Sequence, residues 1–373
     1  MPRSTLYPML GMDMINGLKL SIQQQSVSGD IELIIDNIGF GINEPEIYAK
    51  AEKMLLQENA DVVIAFADTI IAELLQPLFT ATNKILLIVN FGANFPRSWN
   101  PEPTCITLSL NFCLQARLTG KLAASKENKK AANVLSYFDG GYNQCYSLIN
   151  SFQVNGGITM FNHVTHFRLD QFSLKPLDDF LEQHADVSTL LCLFAGEQAG
   201  RFYTDIEALQ QKRSLDLFVS PMMLDETIFS TANYKTQQVQ GFVPWHSTLT
   251  NQANQDFKTI IKSKANKQAN YFLLLGWEAG MLLSEIFRRS NDHSGSAEII
   301  QAVKKLKYNS PRGWLKIDEA THHCYAPCWH AKASGNDITI IEEVNDIEKE
   351  WQEFTQEPLL TEYSMWRNTY LCI

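Results

Sequence analysis

The sequence predicts an α/β protein whose parallel sheets are covered by helices on both faces. Short segments that are almost entirely apolar, such as 61–66 and 84–89, alternate with amphipathic segments such as 44–57. Strands of this kind are typical of sheets buried on both faces, and their alternation with helices favours parallel connections. Because 373 residues exceed one ordinary hydrophobic core, two domains are expected.

Two strand–helix units of similar size follow one another along the chain. The first is predicted to contain strands at 30–35, 61–66 and 84–89, with helices at 44–57 and 70–79. The second is predicted to contain strands at 131–137, 158–163, 189–194 and 217–220, with helices at 143–155, 175–184 and 204–212. Two more helices are predicted at 270–289 and 296–305. Alternating residues at 313–317, 324–331 and 338–343 predict antiparallel strands.

The loops that follow the parallel strands are the expected place for a ligand. In open parallel sheets, ligands bind beyond the carboxyl ends of the strands. This rule selects the segments 67–69, 90–94, 138–142, 195–198 and 221–225. We therefore expect a small ligand to be held in a cleft lined by these loops.

Charge and composition exclude several partners. The formal charge is −10, from 31 basic and 41 acidic residues, which argues against nucleic acid or an anionic membrane as a partner. No segment approaches the roughly 18 consecutive apolar residues of a membrane span, so none is expected. The seven cysteines are odd in number and show no disulfide framework, so we expect most of them to be free and buried.

Motifs of common enzyme classes are missing. The pair Gly120-Lys121 lacks the upstream glycine and the following hydroxyl residue of a phosphate-binding P-loop. No Gly-x-Gly-x-x-Gly follows a strand, and no Gly-x-Ser-x-Gly nucleophile turn is present. We therefore expect a protein that binds a ligand without catalysis and without a cofactor.

A dense group of His and Cys residues spans 322–330. It could be read as a metal site, because His and Cys are the usual ligands of zinc. The interpretation we favour is a strand without metal, since alternate side chains of a strand point to opposite faces and Pro327 suits an edge strand. Trp245 could line a pocket or pack in the core, whereas Trp277, inside a predicted long helix, is expected in the core.

Several segments, taken in order, resemble the type 1 periplasmic binding proteins. The resemblance is to the branched-chain amino acid and amide/urea-binding group of ABC-transporter receptors, and it extends over nearly the whole chain. The matching segments are 11–20, 44–77 with the strand DVVIAF and the turn Asp68-Thr69, 90–94, 309–313, 317–318 and 321–323.

The resemblance implies two Rossmann-like lobes joined by three crossings, which close on the ligand like a hinged clamp. One lobe would contain residues 1–117 and 246–328, and the other 118–245 and 329–373. The implied function is an extracytoplasmic receptor, periplasmic or membrane-anchored, that delivers an amide, urea-like, amine or amino-acid-like solute to an ABC permease. The alternative is a cytoplasmic ligand-sensing regulator of the same fold.

The family has an apolar strand before the loop that residues 2–5 resemble. This chain starts inside that loop, which leaves two interpretations: the sequence is truncated, with the strand and a signal peptide removed, or its start is misassigned. We do not take the missing signal as evidence for a cytoplasmic protein.

The resemblance also implies ligand contacts from both lobes. Hydroxyls and free N–H groups at helix amino ends would bind a carboxylate or carbonyl oxygen, and aromatic side chains would form apolar walls. The implied contact residues are Ser4, Thr5, Tyr7, Asp68, Thr69, Asn90, Phe91, Gly92, Ala93, Asn94, Tyr142, Glu197, Met222 and Trp245.

Two of these positions depart from the family pattern. Amino-acid binders have a carboxylate for the ligand ammonium after the strand at 217–220, where this chain has Pro221-Met222-Met223. A methionine cannot pair with an ammonium group, which places an α-amino-acid ligand in doubt. Asp68 stands where the family usually has a small neutral residue. We hypothesise that Asp68 or Glu197 contacts a cationic or amide N–H group.

Overall fold

The computed structural model describes residues 1–27, 31–290 and 295–359 and confirms the α/β fold. The helices are α1 Leu10–Gln24, α2 Glu44–Leu56, α3 Thr69–Thr82, α4 Phe112–Ala124, α5 Asn143–Val154, α6 Lys175–Gln183, α7 Gly196–Lys212, α8 Glu226–Phe229, α9 Gln252–Ile260, α10 Tyr271–Ser290, α11 Ser296–Lys304 and α12 Ile347–Gln356. The strands are β1 Val62–Phe66, β2 Ile85–Asn90, β3 Cys105–Ser109, β4 Lys130–Ser136, β5 Ile158–Thr165, β6 Thr189–Leu193, β7 Asp216–Val219, β8 Val239–Val243, β9 Lys307–Ser310, β10 Gly313–Ile317, β11 Cys324–Tyr325, β12 Trp329–Ser334 and β13 Asp337–Glu343.

The strands form two principal sheets and a small third one. The first sheet is parallel, with the order β1-β2-β3. The second has the order β13-β12-β8-β7-β6-β4-β5. Strands β4 to β8 run parallel to one another, β12 runs antiparallel to β8, and β13 runs antiparallel to β12. The third sheet, β11-β10-β9, is antiparallel and joins the first through a bridge between Thr107 and His323.

The chain passes between the two principal sheets three times. It leaves the first sheet after β3, returns toward it after β8, and crosses again between β11 and β12. These three passages agree with the three crossings that the family resemblance implies. The residue limits assigned to the two lobes stay a prediction.

Close helix packing supports the first sheet. Gly17 of α1 and Gly276 of α10 lie where the two helices touch, and a methyl group on Gly276 would overlap the carbonyl oxygen of Met14. The helices can approach this closely only because glycine has no side chain at the contact. The apolar faces of the two helices pack against buried residues of β2 and β3 and so cover one side of the first sheet.

A buried ion pair connects α10 to the β9–β10 hairpin. The Arg312 guanidinium donates to both carboxylate oxygens of Glu278, at 2.7 and 2.9 Å, and to the carbonyl oxygen of Ser109 at 3.0 Å. Arg312 is 1% exposed and Glu278 is fully buried. A buried charge pair of this kind is stable only when both partners are present. It therefore fixes the hairpin against the end of β3, next to the first crossing.

Two predicted strands are wrong. Residues 31–35 belong to no strand in the structure, and residue 30 lies outside the described residues. Their apolar composition favours a strand, but a strand also needs a hydrogen-bonded neighbour, and β1 pairs only with β2 in the described part of the chain. The segment 324–331 forms two strands in different sheets, β11 and β12, separated around Pro327, which has no N–H to donate.

The prediction for the cysteines is confirmed for the six that the structure describes, all of which are free and buried. Cys372 lies outside the described residues. None of the helices in the described ranges is long and apolar enough to cross a membrane.

Candidate ligand-binding site

The loops after β1 and β2 form one side of the candidate site. Asp68, at the amino end of α3, accepts a hydrogen bond from Thr69 Oγ1 at 2.8 Å and from Asn94 Nδ2 at 3.1 Å. Thr69 Oγ1 also lies 3.2 Å from the carbonyl oxygen of Phe95. The buried carboxylate of Asp68 therefore ties together two loops that the sequence assigns to ligand binding.

The loop at 90–94 owes its shape to an asparagine and a glycine. Asn90 Oδ1 accepts from the N–H of Gly92 at 3.0 Å, which closes a tight turn. Gly92 has a φ of +66°, and a methyl group there would lie 2.5 Å from Ser109 Oγ. Only glycine meets both requirements. Phe91 points into the core against Phe112, so it supports the loop from behind.

The amino end of α5 connects this side to the second sheet. The N–H of Asn143 donates to Asn94 Oδ1 at 3.2 Å, and Asn143 Oδ1 accepts from the N–H of Phe95 at 2.9 Å. The next residue, Gln144, donates its N–H to the carbonyl oxygen of Ala93 at 3.2 Å. These bonds hold the loop after β2 against the loop after β4.

Asp139 forms the matching carboxylate on the second side. It is 3% exposed and lies in the short turn after β4. Ser136 Oγ donates to Asp139 Oδ2 at 2.5 Å, and the N–H of Ala195, which precedes α7, is a further hydrogen-bond donor to the carboxylate. Asp139 therefore links the ends of β4 and β6, as Asp68 links the ends of β1 and β2.

A methionine and a buried amide lie between the two sides. Gln144 Nε2 is 3.8 Å from Met222 Sδ, which brings the loop after β7 to the start of α5. Gln144 Oε1 and Ser220 Oγ, two residues before Met222 in the chain, have no hydrogen-bond partner among the described residues, although both residues are fully buried. Tyr142, at the start of α5, is 3% exposed and adds an aromatic ring.

The first loop of the chain reaches the second side directly. Tyr7 shares a side-chain hydrogen bond with Thr227 of α8, and Leu6 lies beside Gly196 at the start of α7. Burial and the negative charge of Asp225 raise the pKa of the Tyr7 hydroxyl well above its usual value. Tyr7 is therefore a neutral hydrogen-bonding group at the contact between the two halves.

Burial controls the charge state of both carboxylates. It raises the pKa of Asp68 from 3.8 to about 6, although the hydrogen bonds from Asn94 and Thr69 oppose this change. It also raises the pKa of Asp139 to about 6, against the opposing hydrogen bonds of Ser136 and Ala195. The effect arises because a low-dielectric surrounding disfavours the charged form.

The structure places the remaining predicted residues in three kinds of surroundings. Thr5 and Glu197 are exposed, whereas Ser4 is buried and accepts a hydrogen bond from the N–H of Tyr7. Trp245 is in the core, where its indole N–H donates to Asn254 at 2.8 Å. This position supports the interpretation of Trp245 as a packing residue.

The His and Cys residues at 322–330 point to separate partners. The ring of His322 lies 2.7 Å from Lys304 Nζ, whereas His330 stacks on Phe242 of the second sheet. Burial lowers the pKa of both imidazoles. In the described ranges, no group of three or more His, Cys, Asp or Glu side chains is arranged to hold a metal ion.

Sequence reasoning missed three residues of the site, namely Asp139, Asn143 and Gln144. Asp139 lies within the segment 138–142, which is one of those selected by the rule that ligands bind beyond parallel strands, and Asn143 and Gln144 follow that segment directly. A more careful reading of the polar residues at the amino end of the predicted helix at 143–155 could have identified Asn143 and Gln144.

Comparison with known proteins identifies the family. A family model described as periplasmic binding protein matches residues 1–337. No curated protein sequence matches the chain. Among solved structures, an ABC-transporter solute-binding protein from R. palustris in complex with benzoate has a TM-score of 0.74 at 19% identity, covering 92% of this chain and 94% of that one.

Two further structures are similar over the same extent. A substrate-binding protein from Sphaerobacter thermophilus has a TM-score of 0.77 at 13% identity, with 92% of this chain and 98% of that chain covered. A branched-chain amino acid transporter substrate-binding protein from Streptococcus pneumoniae, in complex with isoleucine, has a TM-score of 0.68 at 13% identity, with 92% and 96% covered. With the family match over most of its length, this chain belongs to the periplasmic binding protein family.

Proposed function

We propose that this protein is the solute-binding receptor of an ABC importer and that its two halves close around one small polar solute. The observation that supports this proposal is that loops at the strand ends of both principal sheets contact each other, through the Asn94–Asn143 and Ala93–Gln144 hydrogen bonds. Such loops are where ligands bind in open parallel sheets. The relatives solved with benzoate and with isoleucine support a solute of this size.

The two proposed lobes are residues 1–117 with 246–328 and residues 118–245 with 329–373. Three crossings between the lobes would act as a hinge, because a few residues in each crossing can absorb the rotation. A solute that touches both lobes binds the closed arrangement more tightly than the open one. It therefore shifts the population toward closure.

The proposed solute is an amide, a urea-like compound, an amine or an amino-acid-like compound. Its contacts would come from the two loops held by Asp68 and Asn94, from Tyr7 and Tyr142, and from Met222. The proposed partner is an ABC permease, and the proposed location is extracytoplasmic. Loss of uptake of the identified solute in a strain without this gene would support the importer role, whereas unchanged uptake would contradict it.

The binding proposal is tested by the melting temperature in the presence of amino acids, short amides, ureas, amines, aromatic acids and sugars. A solute at about 100 times its Kd should stabilise the folded state by roughly 2.7 kcal/mol. This corresponds to an increase of roughly 5–10 °C for domains of this size. A cooperative melt that no solute shifts would contradict the proposal.

Two asparagine variants show where the solute binds. Asn94→Ala should reduce the shift, because it removes the side chain that joins Asp68 to the start of α5. Asn100→Ala is the matched control, since Asn100 is exposed and lies outside the strand-end loops. An equal shift in both variants would place the solute elsewhere.

A further inference from the structure

The last helix that the structure describes, α12, is attached to the second half of the molecule, which is built around the second sheet. It follows β13, the edge strand of that sheet, and lies beyond residue 337, where the match to the family model ends. It packs beside α4. Helix α4 belongs to the same half, because Thr119 Oγ1 accepts a hydrogen bond from the N–H of Phe242 in β8 at 3.1 Å. The contacts of α12 therefore have to be explained from this chain itself.

A network of charged side chains joins α12 to α4. The guanidinium of Arg117 donates to three carboxylates of α12 and its carboxyl end, those of Glu350, Glu353 and Glu357. Lys121, one turn further along α4, donates to Glu350 at 2.6 Å. Arg117 is 8% exposed, and several charges that share one largely buried partner hold their positions better than an isolated surface pair does. The network therefore fixes one side of α12 to the second half.

Aromatic side chains on another face of α12 pack against the first half, which is built around the first sheet. Trp351 and Phe354 are 1% and 4% exposed. The ring of Phe354 lies 5.5 Å from that of Phe95 and 5.9 Å from that of Trp99, both in the loop after β2. Trp351 stacks on Tyr325 of β11 at 5.5 Å. Because buried aromatic rings contribute strongly to packing, these contacts form a second attachment of α12.

The attachment of α12 to the first half lies next to the contact between the two halves. The N–H of Phe95, whose ring packs against Phe354, donates to Asn143 Oδ1 of α5 at 2.9 Å. In return, the N–H of Asn143 donates to Asn94 Oδ1 at 3.2 Å. The ring of Phe95 also packs against Tyr146 of α5. A separation of the halves would move Phe95 away from α5 and would break contacts of α12 at one of its two attachments.

We propose that α12 is a strap across the junction of the two halves and that it limits how far they separate in the absence of solute. Its two attachments belong to different halves, so the halves cannot move far apart without loss of either the charged network or the aromatic contacts. This cost disfavours the open arrangements and leaves a smaller movement for a solute to complete. The inference rests on the proposed movement of the two halves and goes beyond the receptor function, because it concerns the protein without solute.

Amide hydrogen exchange of the full chain without solute, followed by mass spectrometry of overlapping peptides, tests this inference. Three N–H groups donate across the junction, those of Phe95, Asn143 and Gln144, and we call them the junction amides. They lose their hydrogen bonds when the halves separate. The amides of 86–89 in β2 and 190–193 in β6 report whether each half stays folded, since these strands lie inside the two sheets.

Two variants release the strap at one end each. Phe354→Ala removes the ring that contacts the first half, and Glu350→Gln with Glu353→Gln weakens the network with α4. Each variant should accelerate exchange of the junction amides at least about tenfold and leave the β2 and β6 amides within about twofold of the wild type. The matched control, Glu52→Gln with Glu182→Gln, removes two exposed carboxylates and should exchange as the wild type does.

Unchanged junction amides in either variant overturn the inference, because α12 would then only cover the surface. An equal acceleration in β2 and β6 also overturns it, because α12 would then support overall stability and not the junction. The carboxylate variant decides this second point, since glutamine keeps the size of glutamate. The melting panel tests the receptor proposal separately. A solute-dependent shift beside unchanged junction amides leaves the receptor proposal standing, and an unshifted melt beside faster junction amides leaves the strap standing.

Discussion

Replacing Asp68 by asparagine should make the protein more stable, relative to the wild type, as the pH rises. Burial raises the pKa of Asp68 in the folded protein to about 6, from 3.8 without burial. A raised carboxyl pKa means that the folded state binds the proton more tightly than the unfolded state does. The stabilisation from this carboxyl is therefore complete below pH 3.8 and is lost as the pH rises through about 6.

The magnitude follows from the difference between the two pKa values. A difference of about two pKa units corresponds to about 3 kcal/mol, since each unit is worth about 1.4 kcal/mol. Asparagine has one acceptor oxygen, so it can keep the hydrogen bond from Thr69 or from Asn94 but not both. Losing one of them costs about 1 kcal/mol at every pH. The pH-dependent part of the effect remains about 3 kcal/mol.

Urea denaturation followed by tryptophan fluorescence, from about pH 4 to about pH 8, measures this difference. The free energy of unfolding of Asp68→Asn minus that of the wild type should increase by about 2.5 kcal/mol over this range, because the remaining part of the effect falls below pH 4. Asp256→Asn, which changes an exposed carboxylate, should stay within about 0.5 kcal/mol of the wild type throughout. A difference between Asp68→Asn and the wild type that is flat or falls with pH would refute the reasoning.

Three further experiments test the ion pair, the helix contact and the buried cysteines. Arg312→Met leaves the buried Glu278 without its counter-charge, although Ser310 Oγ still donates to it, and should reduce the free energy of unfolding by about 3–5 kcal/mol. The double variant with Glu278→Met should recover most of this loss, and an equal loss in both variants would argue against the ion pair. Gly276→Ala forces a methyl group into the Met14 carbonyl and should cost about 3 kcal/mol or more in urea denaturation, whereas Gly140→Ala, with its nearest neighbour at 3.9 Å, should cost less than about 1 kcal/mol. In a Cys372→Ser variant, the six buried cysteines should react with a thiol reagent only after unfolding; rapid reaction in native buffer would show that a buried thiol is open to solvent.

The alternation of strands and helices was enough to predict the loops of the candidate site. The rule that ligands bind beyond parallel strands selects 67–69, 90–94 and 138–142; the structure joins the first two segments directly and places 90–94 against Asn143, the residue that follows 138–142. The prediction of these loops succeeds because each apolar segment shows where a strand ends, and the carboxyl ends of parallel strands lie at one edge of the sheet.

The contacts between the halves could not be predicted in the same way. The partner of Asn143 is Asn94, far away in the chain, and no local pattern encodes that pairing. The charge state of Asp139 depends on burial and on the N–H of Ala195, which are properties of the assembled fold. The strand predicted at 31–35 fails for a related reason. Its apolar composition favours a strand, but a strand forms only beside another strand with which it can exchange hydrogen bonds.

Small-angle X-ray scattering tests most directly whether the two halves of this chain close around one solute. The radius of gyration is measured while a solute that raises the melting temperature is titrated to saturation. We expect the radius of gyration to decrease along the binding curve, because closure brings the two sheets together. A radius of gyration that stays constant while the solute saturates the protein would contradict it.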